Sequence, residues 1–239
     1  MSGHSKWKTI KHKKAATDAK KSKQFSKLIR EIEVCARASG GDLAGNATLK
    51  TLMDKAREIN MPLENAQRAV KKGTGELVGE AYEAQTYEGY GPHNVAVVIE
   101  TLTSNKNRTI SELRHVFNRH NSIIAAPGAV NWLFEHKGVI TIANDGSQNE
   151  DSLMELLLEY PLDSINVDEE VIAIICEPKA LEDIKHALKN ATITIQDAQV
   201  EWVAKTAHEI EEKHMESATE FLEALEDLDD VQNVYTNLA

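Results

Sequence analysis

At 239 residues, with 41% apolar but only 5% aromatic side chains, the chain can fill two or three small cores, and these must rest on Leu, Ile, Val and Ala. Cys35 and Cys176 lie too far apart for a metal spacing or a disulfide framework, so a reducing compartment is the simplest setting, while no stretch approaches the roughly 20 apolar residues of a membrane span and no apolar h-region follows the basic start. The net charge of -11 conceals a division: residues 1–75 hold 17 Lys and Arg against 7 acids and residues 76–239 hold 10 against 31, so the two parts carry +10 and -21.

Residues 1–14 have no helical apolar period and read as an extended basic arm. Beyond them Phe25, Leu28, Ile29, Ile32 and Ala36 fall at the spacing of one helix face, which predicts a helix over 16–38 ended by Gly40-Gly41. A second helix is expected over 46–59, burying Leu49, Leu52, Met53, Ala56 and Ile59. A third runs from Pro62 to Gly73, with Lys71 and Lys72 suiting its C-terminus. Such short amphipathic helices cannot bury their stripes alone, so a three-helix bundle with its cations outside is predicted.

After Thr74-Gly75 the period changes. Residues 82–88 and 95–103 read as strands around a turn at Gly89-Tyr90-Gly91-Pro92. Thr109-Ile110-Ser111-Glu112 fits a capping box that would start a helix running to about His120, and Val130 to Glu135 reads as the next strand. Residues 138–203 then read strand, helix (150–160), strand (164–167), strand (171–176), helix (180–189) and strand (192–203), the βαββαβ order of a ferredoxin-like sandwich. A helix over 217–228 and a strand over 231–235 close the chain.

The block before 138 lacks the αβ unit that the C-terminus supplies. The fold expected is therefore α+β, an N-terminal three-helix bundle followed by two ferredoxin-like α/β domains, with the third domain inserted in the second. The boundaries are 1–78, then 79–136 together with 205–239, and the insert 137–204. If the insertion holds, Val234 lies beside residues 95–103.

Ten Lys and Arg in the first 30 residues, against Asp18 alone, point to a polyanion. The candidate nucleic-acid-binding residues are Lys6, Trp7, Lys8, Lys11, His12, Lys13, Lys14, Lys20, Lys21, Lys23, Lys27 and Arg30. Lysine is a point charge better suited to phosphate than to reading bases, so weak sequence discrimination is expected from this region alone. Trp7 either stacks on an exposed base or anchors the arm on the bundle. His4 and His12 lack a partner at zinc-like spacing, so neither metal nor cofactor is expected.

A secondary set comprises Asn105, Asn107 and Arg108, where a helix N-terminus with adjacent cations can hold an anion, and Tyr87, Tyr90 and Gly91, where the tyrosine ring faces could meet a base or a peptide proline. The plainer readings are a turn with a cap and a hairpin whose tyrosines pack on their own sheet. Glu223 to Asp230 lacks the ordered ligand spacing of a calcium loop and reads as a solvated helix end. No P-loop, nucleophile elbow or HExxH is present, which argues against an enzyme.

Several segments together closely resemble the YebC/PmpR family: GHSKW at 3–7, IKHKK at 10–14, FSKLIREIEVCAR at 25–37, NMPLEN at 60–65, KKGTGEL at 71–77, YEGYGP at 87–92 and DDVQNVY at 229–235. The resemblance implies a three-domain cytoplasmic bacterial protein or an organellar relative, acting as a DNA-binding transcriptional regulator. The alternative it implies is a ribosome-associated translation factor meeting ribosomal RNA or tRNA. In neither case does it imply a membrane or a small-molecule substrate. The chain departs from the family pattern at His93-Asn94, where Gly-Gly is common, and at Ser104, where Asp is frequent.

Overall fold

The computed structural model describes residues 18–239, with side chains from residue 22 onward. Three helices open it, α1 (Asp18–Ser39), α2 (Ala47–Glu58) and α3 (Leu63–Gly73). Their stripes close on one core of Leu28, Ile32 and Ala36 from α1, Leu49, Met53 and Ala56 from α2, and Ala66 and Ala69 from α3. The small residues of α3 bring it close to α1. At Gly73 a Cβ would stand only 2.4 Å from the Glu33 carbonyl oxygen, so this glycine serves backbone approach as well as ending the helix.

Asn46 caps α2: its buried Oδ1 accepts from the Leu49 amide at 3.0 Å, and its Nδ2 donates to the Gly40 carbonyl at 2.8 Å. Asn46→Ala is expected to destabilise the bundle by about 1–2 kcal/mol, read as an earlier loss of helical signal in a urea titration. An unchanged midpoint would show that the cap contributes nothing.

The body follows as β1 (Glu83–Tyr90), β2 (Ala96–Thr103), α4 (Lys106–Arg119), β3 (Ile123–Ala125), β4 (Phe134–Ala143), α5 (Glu150–Leu156), β5 (Leu162–Val167), β6 (Val171–Cys176), α6 (Leu181–Asn190), β7 (Ile195–Ala204), α7 (Glu212–Glu226) and β8 (Val231–Thr236). These strands form two antiparallel four-stranded sheets, ordered β3-β1-β2-β8 and β5-β6-β4-β7. The last strand returns to the first sheet, where Val234 pairs opposite Ile99. The second sheet has the order that a βαββαβ chain gives in a ferredoxin-like sandwich. The first has the same layers but opens with a hairpin, which leaves β1 and β2 side by side in the middle.

The apolar run of β2 is explained by burial on both faces. Val95, Val97 and Ile99 pack under α4 and α7, with Phe117 and Phe221 edge to face at a centroid separation of 5.0 Å. Ala96 and Val98 face the other way, against Val130, Phe134, Ala204 and Tyr235. The two sheets therefore share a core where the chain crosses between them.

Four local expectations are corrected. Helix α4 starts a turn before the expected capping box, because Asn105 is the cap, accepting from the Arg108 amide at 3.1 Å, while the Thr109 hydroxyl points inward. Residues 131–133 form a 3₁₀ turn rather than a strand, and the edge strand of the first sheet is the three-residue β3. Helix α5 ends at Leu156 rather than Tyr160, with Leu157 as its C-cap. Gly89 and Tyr90 continue β1 instead of forming the turn.

Candidate nucleic-acid interface

Lys6, Trp7, Lys8, Lys11, His12, Lys13 and Lys14 lie outside the described residues; Lys20 and Lys21 fall on the first turns of α1. The remaining three cations of the N-terminal set, Lys23, Lys27 and Arg30, turn toward the C-terminal end of α7. Lys23 Nζ is 2.8 Å from Asp227 Oδ1, Lys27 Nζ donates to the Glu226 carbonyl at 3.1 Å, and Arg30 donates to the Asp229 carbonyl. The acidic stretch read as a solvated helix end is thus the surface on which α1 rests. The Lys23–Asp227 pair is exposed, and such pairs contribute little.

Asp230 differs from the other acids because it is almost wholly buried, at 1% exposure. Its carboxylate accepts from Arg108 at 2.8 and 2.9 Å, from the Thr109 hydroxyl at 2.7 Å and from the Thr103 hydroxyl at 3.1 Å, with Arg30 at 3.4 Å. Burial alone would raise this carboxyl; the Arg108 and threonine hydrogen bonds outweigh it and hold the group below the usual aspartate range. The same contact raises Arg108.

The secondary candidates make the following contacts within the fold. Arg108 is engaged by Asp230, Asn105 is a cap, and Asn107 is exposed beside Lys106, which pairs with Glu83 at 2.6 Å. Tyr87 packs against the core beneath α4 and α7, and the Tyr90 hydroxyl donates to the Ala129 carbonyl at 3.3 Å. Gly91 lies against the Phe221 ring, where a Cβ would stand at 2.5 Å. Arg114 and Arg119 are exposed farther along α4.

His93 and Asn94 both adopt positive φ, 59° and 62°, a region in which glycine is least strained. Here the histidine is held instead by side-chain contacts. Its ring stacks on His214 at 3.8 Å and lies 3.1 Å from the Ser217 hydroxyl, while His208 donates to its carbonyl at 2.9 Å.

Asp230 and Glu88 carry more of the structure than their sequence contexts signal. Glu88, buried in β1, accepts from the amides of Gly128, Val130 and Asn131 at 2.7, 2.7 and 2.9 Å. Among the described residues no group of three or more His, Cys, Asp and Glu side chains is placed to hold a metal, and no helix is long and apolar enough to cross a membrane. Cys176 is buried, and desolvation pushes its thiol up to about 11, as suits a packing residue rather than a nucleophile.

The family model described as the TACO1/YebC protein N-terminal domain matches residues 5–76, and that described as the TACO1/YebC second and third domain matches residues 82–238. A protein of Prosthecochloris aestuarii named "Probable transcriptional regulatory protein" is 47% identical over 239 residues, covering 100% of this chain and 95% of its own length. One of the same name from Thermotoga maritima is 48% identical over 237 residues, covering 99% and 93%. The crystal structure of the conserved hypothetical protein Aq1575 from Aquifex aeolicus superposes with a TM-score of 0.86 at 42% identity, covering 96% of this chain and 95% of that one.

Proposed function

This chain belongs to the TACO1/YebC family, and from that premise we propose that it is a non-enzymatic, nucleic-acid-binding regulator of gene expression, a DNA-binding transcriptional regulator working in the cytoplasm. The observation that carries the reading is the concentration of ten cations in the first 30 residues of a chain with net charge -11. The name that the relatives carry supports regulation of transcription as the setting. Our working division of the chain is 1–78, then 79–136 with 205–239, and 137–204.

Within the cationic set the roles divide. Lys23, Lys27 and Arg30 meet the acidic turn after α7, so in this arrangement their charges are directed at the body, Arg30 toward the buried Asp230. The phosphate-facing role then falls to Lys6, Lys8, Lys11, Lys13, Lys14, Lys20 and Lys21, with Trp7 and His12 among them. The acidic body repels phosphate and orients this end toward the polyanion.

If about six phosphates of duplex DNA are neutralised, log Kd should vary with log salt with a slope of magnitude roughly 5. Replacing Lys11, Lys13, Lys14, Lys20 and Lys21 together with Gln should remove most of that slope while leaving the circular dichroism spectrum unchanged. Unchanged affinity at low salt would end the proposed role of the arm. Recovery from lysate with and without nuclease identifies the target: selective recovery of promoter DNA supports the reading, and sedimentation with ribosomes would replace it with a translation role.

A further inference from the structure

Between the bundle and the body lies a cavity of about 340 Å³, walled by α1 and α2 on one side and by the end of α7 and β8 on the other. Leu28 and Ile59 contribute its apolar side chains on the bundle wall, and its charged lining is mixed, Lys23, Lys27 and Lys55 facing Glu223, Glu226 and Asp227, with Lys23 paired to Asp227 at 2.8 Å. From β8 comes Gln232, whose side-chain oxygen and nitrogen are both buried without a hydrogen-bond partner. The residue is only 8% exposed. Leaving a buried amide unpaired costs about 1–3 kcal/mol per group, and native folds rarely tolerate it without a reason.

The backbone explains how Gln232 comes to sit there. Glu100 pairs with Asn233 and Thr101 with Val231, so Gln232 is the extra residue of a β-bulge on an edge strand. Bulges re-aim a side chain and are frequent beside functional sites. A volume of about 340 Å³ falls at the small end of ligand pockets and suits one ring system rather than a dinucleotide. An amide offers a donor and an acceptor side by side, the pattern with which Gln pairs with the edge of a base. Glu31 also lies on the lining, its carboxyl raised by burial against the opposing influence of Lys55 and Lys27.

We propose that this cavity receives a single unstacked nucleobase from a single-stranded stretch of nucleic acid, with the Gln232 amide pairing to the base edge and the bundle wall at Ile59 against one of its faces. The inference rests on the nucleic-acid-binding reading above. It deepens it by adding base contact to the backbone contact assigned to the lysines that precede Lys23 in the same chain. A base stacked within a duplex cannot reach such a site without leaving the stack.

The test uses the full chain and a short single-stranded DNA carrying a fluorescent aminopurine, with fluorescence intensity reporting base unstacking and anisotropy of an end label reporting retention of the strand. Wild type should raise both signals. Gln232→Leu, similar in size but unable to pair, should weaken the intensity response about tenfold, the scale of one lost bidentate contact, and leave anisotropy at low salt nearly unchanged. Gln232→Glu, which keeps an acceptor but loses the donor, should also weaken it and guards against a packing effect of Leu. Anisotropy without any intensity change in wild type, or an equal response in all three proteins, would overturn the base site and leave backbone binding intact. No anisotropy change in wild type would overturn both.

Discussion

Asp230→Asn should destabilise the protein by about 3–5 kcal/mol, the scale on which removing one member of a buried ion pair leaves its partner uncompensated. The substitution hardly changes volume, so no cavity contributes. It replaces one acceptor oxygen with a donor facing Arg108, Thr103 and Thr109, and removes the charge that Arg30 approaches at 3.4 Å. Three elements lose an anchor together: α1 through Arg30, the end of β2 through Thr103, and the start of α4 through Arg108 and Thr109. Hydrogen exchange should therefore rise in α1 and α4, with little change in β4–β7.

The pH dependence follows from the direction of the shift. The folded carboxyl lies below its unfolded value, so its stabilisation is fully present above the unfolded aspartate pKa of about 3.9 and is lost as pH falls through the folded value. In urea titrations the gap between wild type and Asp230→Asn should be constant near neutrality and close under acid conditions. A gap independent of pH throughout the acid range would assign the loss to packing.

What the sequence makes legible divides by the separation of the interacting groups. The stripe Leu28, Ile32, Ala36 on α1 and the run Val95 to Ile99 are local patterns, and both mark elements that exist. That β2 is covered on both faces depends on Phe134 and Ala204 arriving from the second sheet, which no window along β2 contains. The three-residue β3 is too short to show a period, and the Asn105 cap is masked by a second plausible cap four residues later.

The candidate site follows the same rule. The cations of α1 are evident, but Lys23 meets Asp227 across 204 positions and Arg108 meets Asp230 across 122. Only the return of β8 to β2 brings those charges together, and only the register shift at Glu100 and Thr101 turns Gln232 into the cavity wall. Charge composition therefore identifies a basic end. It does not separate the cations that hold the fold from those left to meet a polyanion.

Glu88→Gln should be the second severe substitution, because Glu88 ties the opening hairpin to the segment through which the chain enters the second sheet. Three backbone amides, of Gly128, Val130 and Asn131, donate to its carboxylate, and burial leaves water no access to replace it. Burial alone would raise the carboxyl; the three donors prevail and hold it below the ordinary glutamate range. An amide keeps the shape but turns one oxygen into a donor, so at least one amide is orphaned at about 1–3 kcal/mol and a charge-assisted bond is lost, for about 2–4 kcal/mol in all. The stabilisation is present above the unfolded glutamate pKa of about 4.3 and fades as pH falls through the lower folded value. Exchange should rise over residues 127–133 and at the shared core of Val98, Phe134 and Tyr235, while α1 stays protected. Because Glu88 and Asp230 bind different partners, their losses should add within about 0.5 kcal/mol. A larger departure in the double variant would mean that the bundle contact and the entry to the second sheet open together, so that displacing the acidic turn from α1 would also loosen the body behind it.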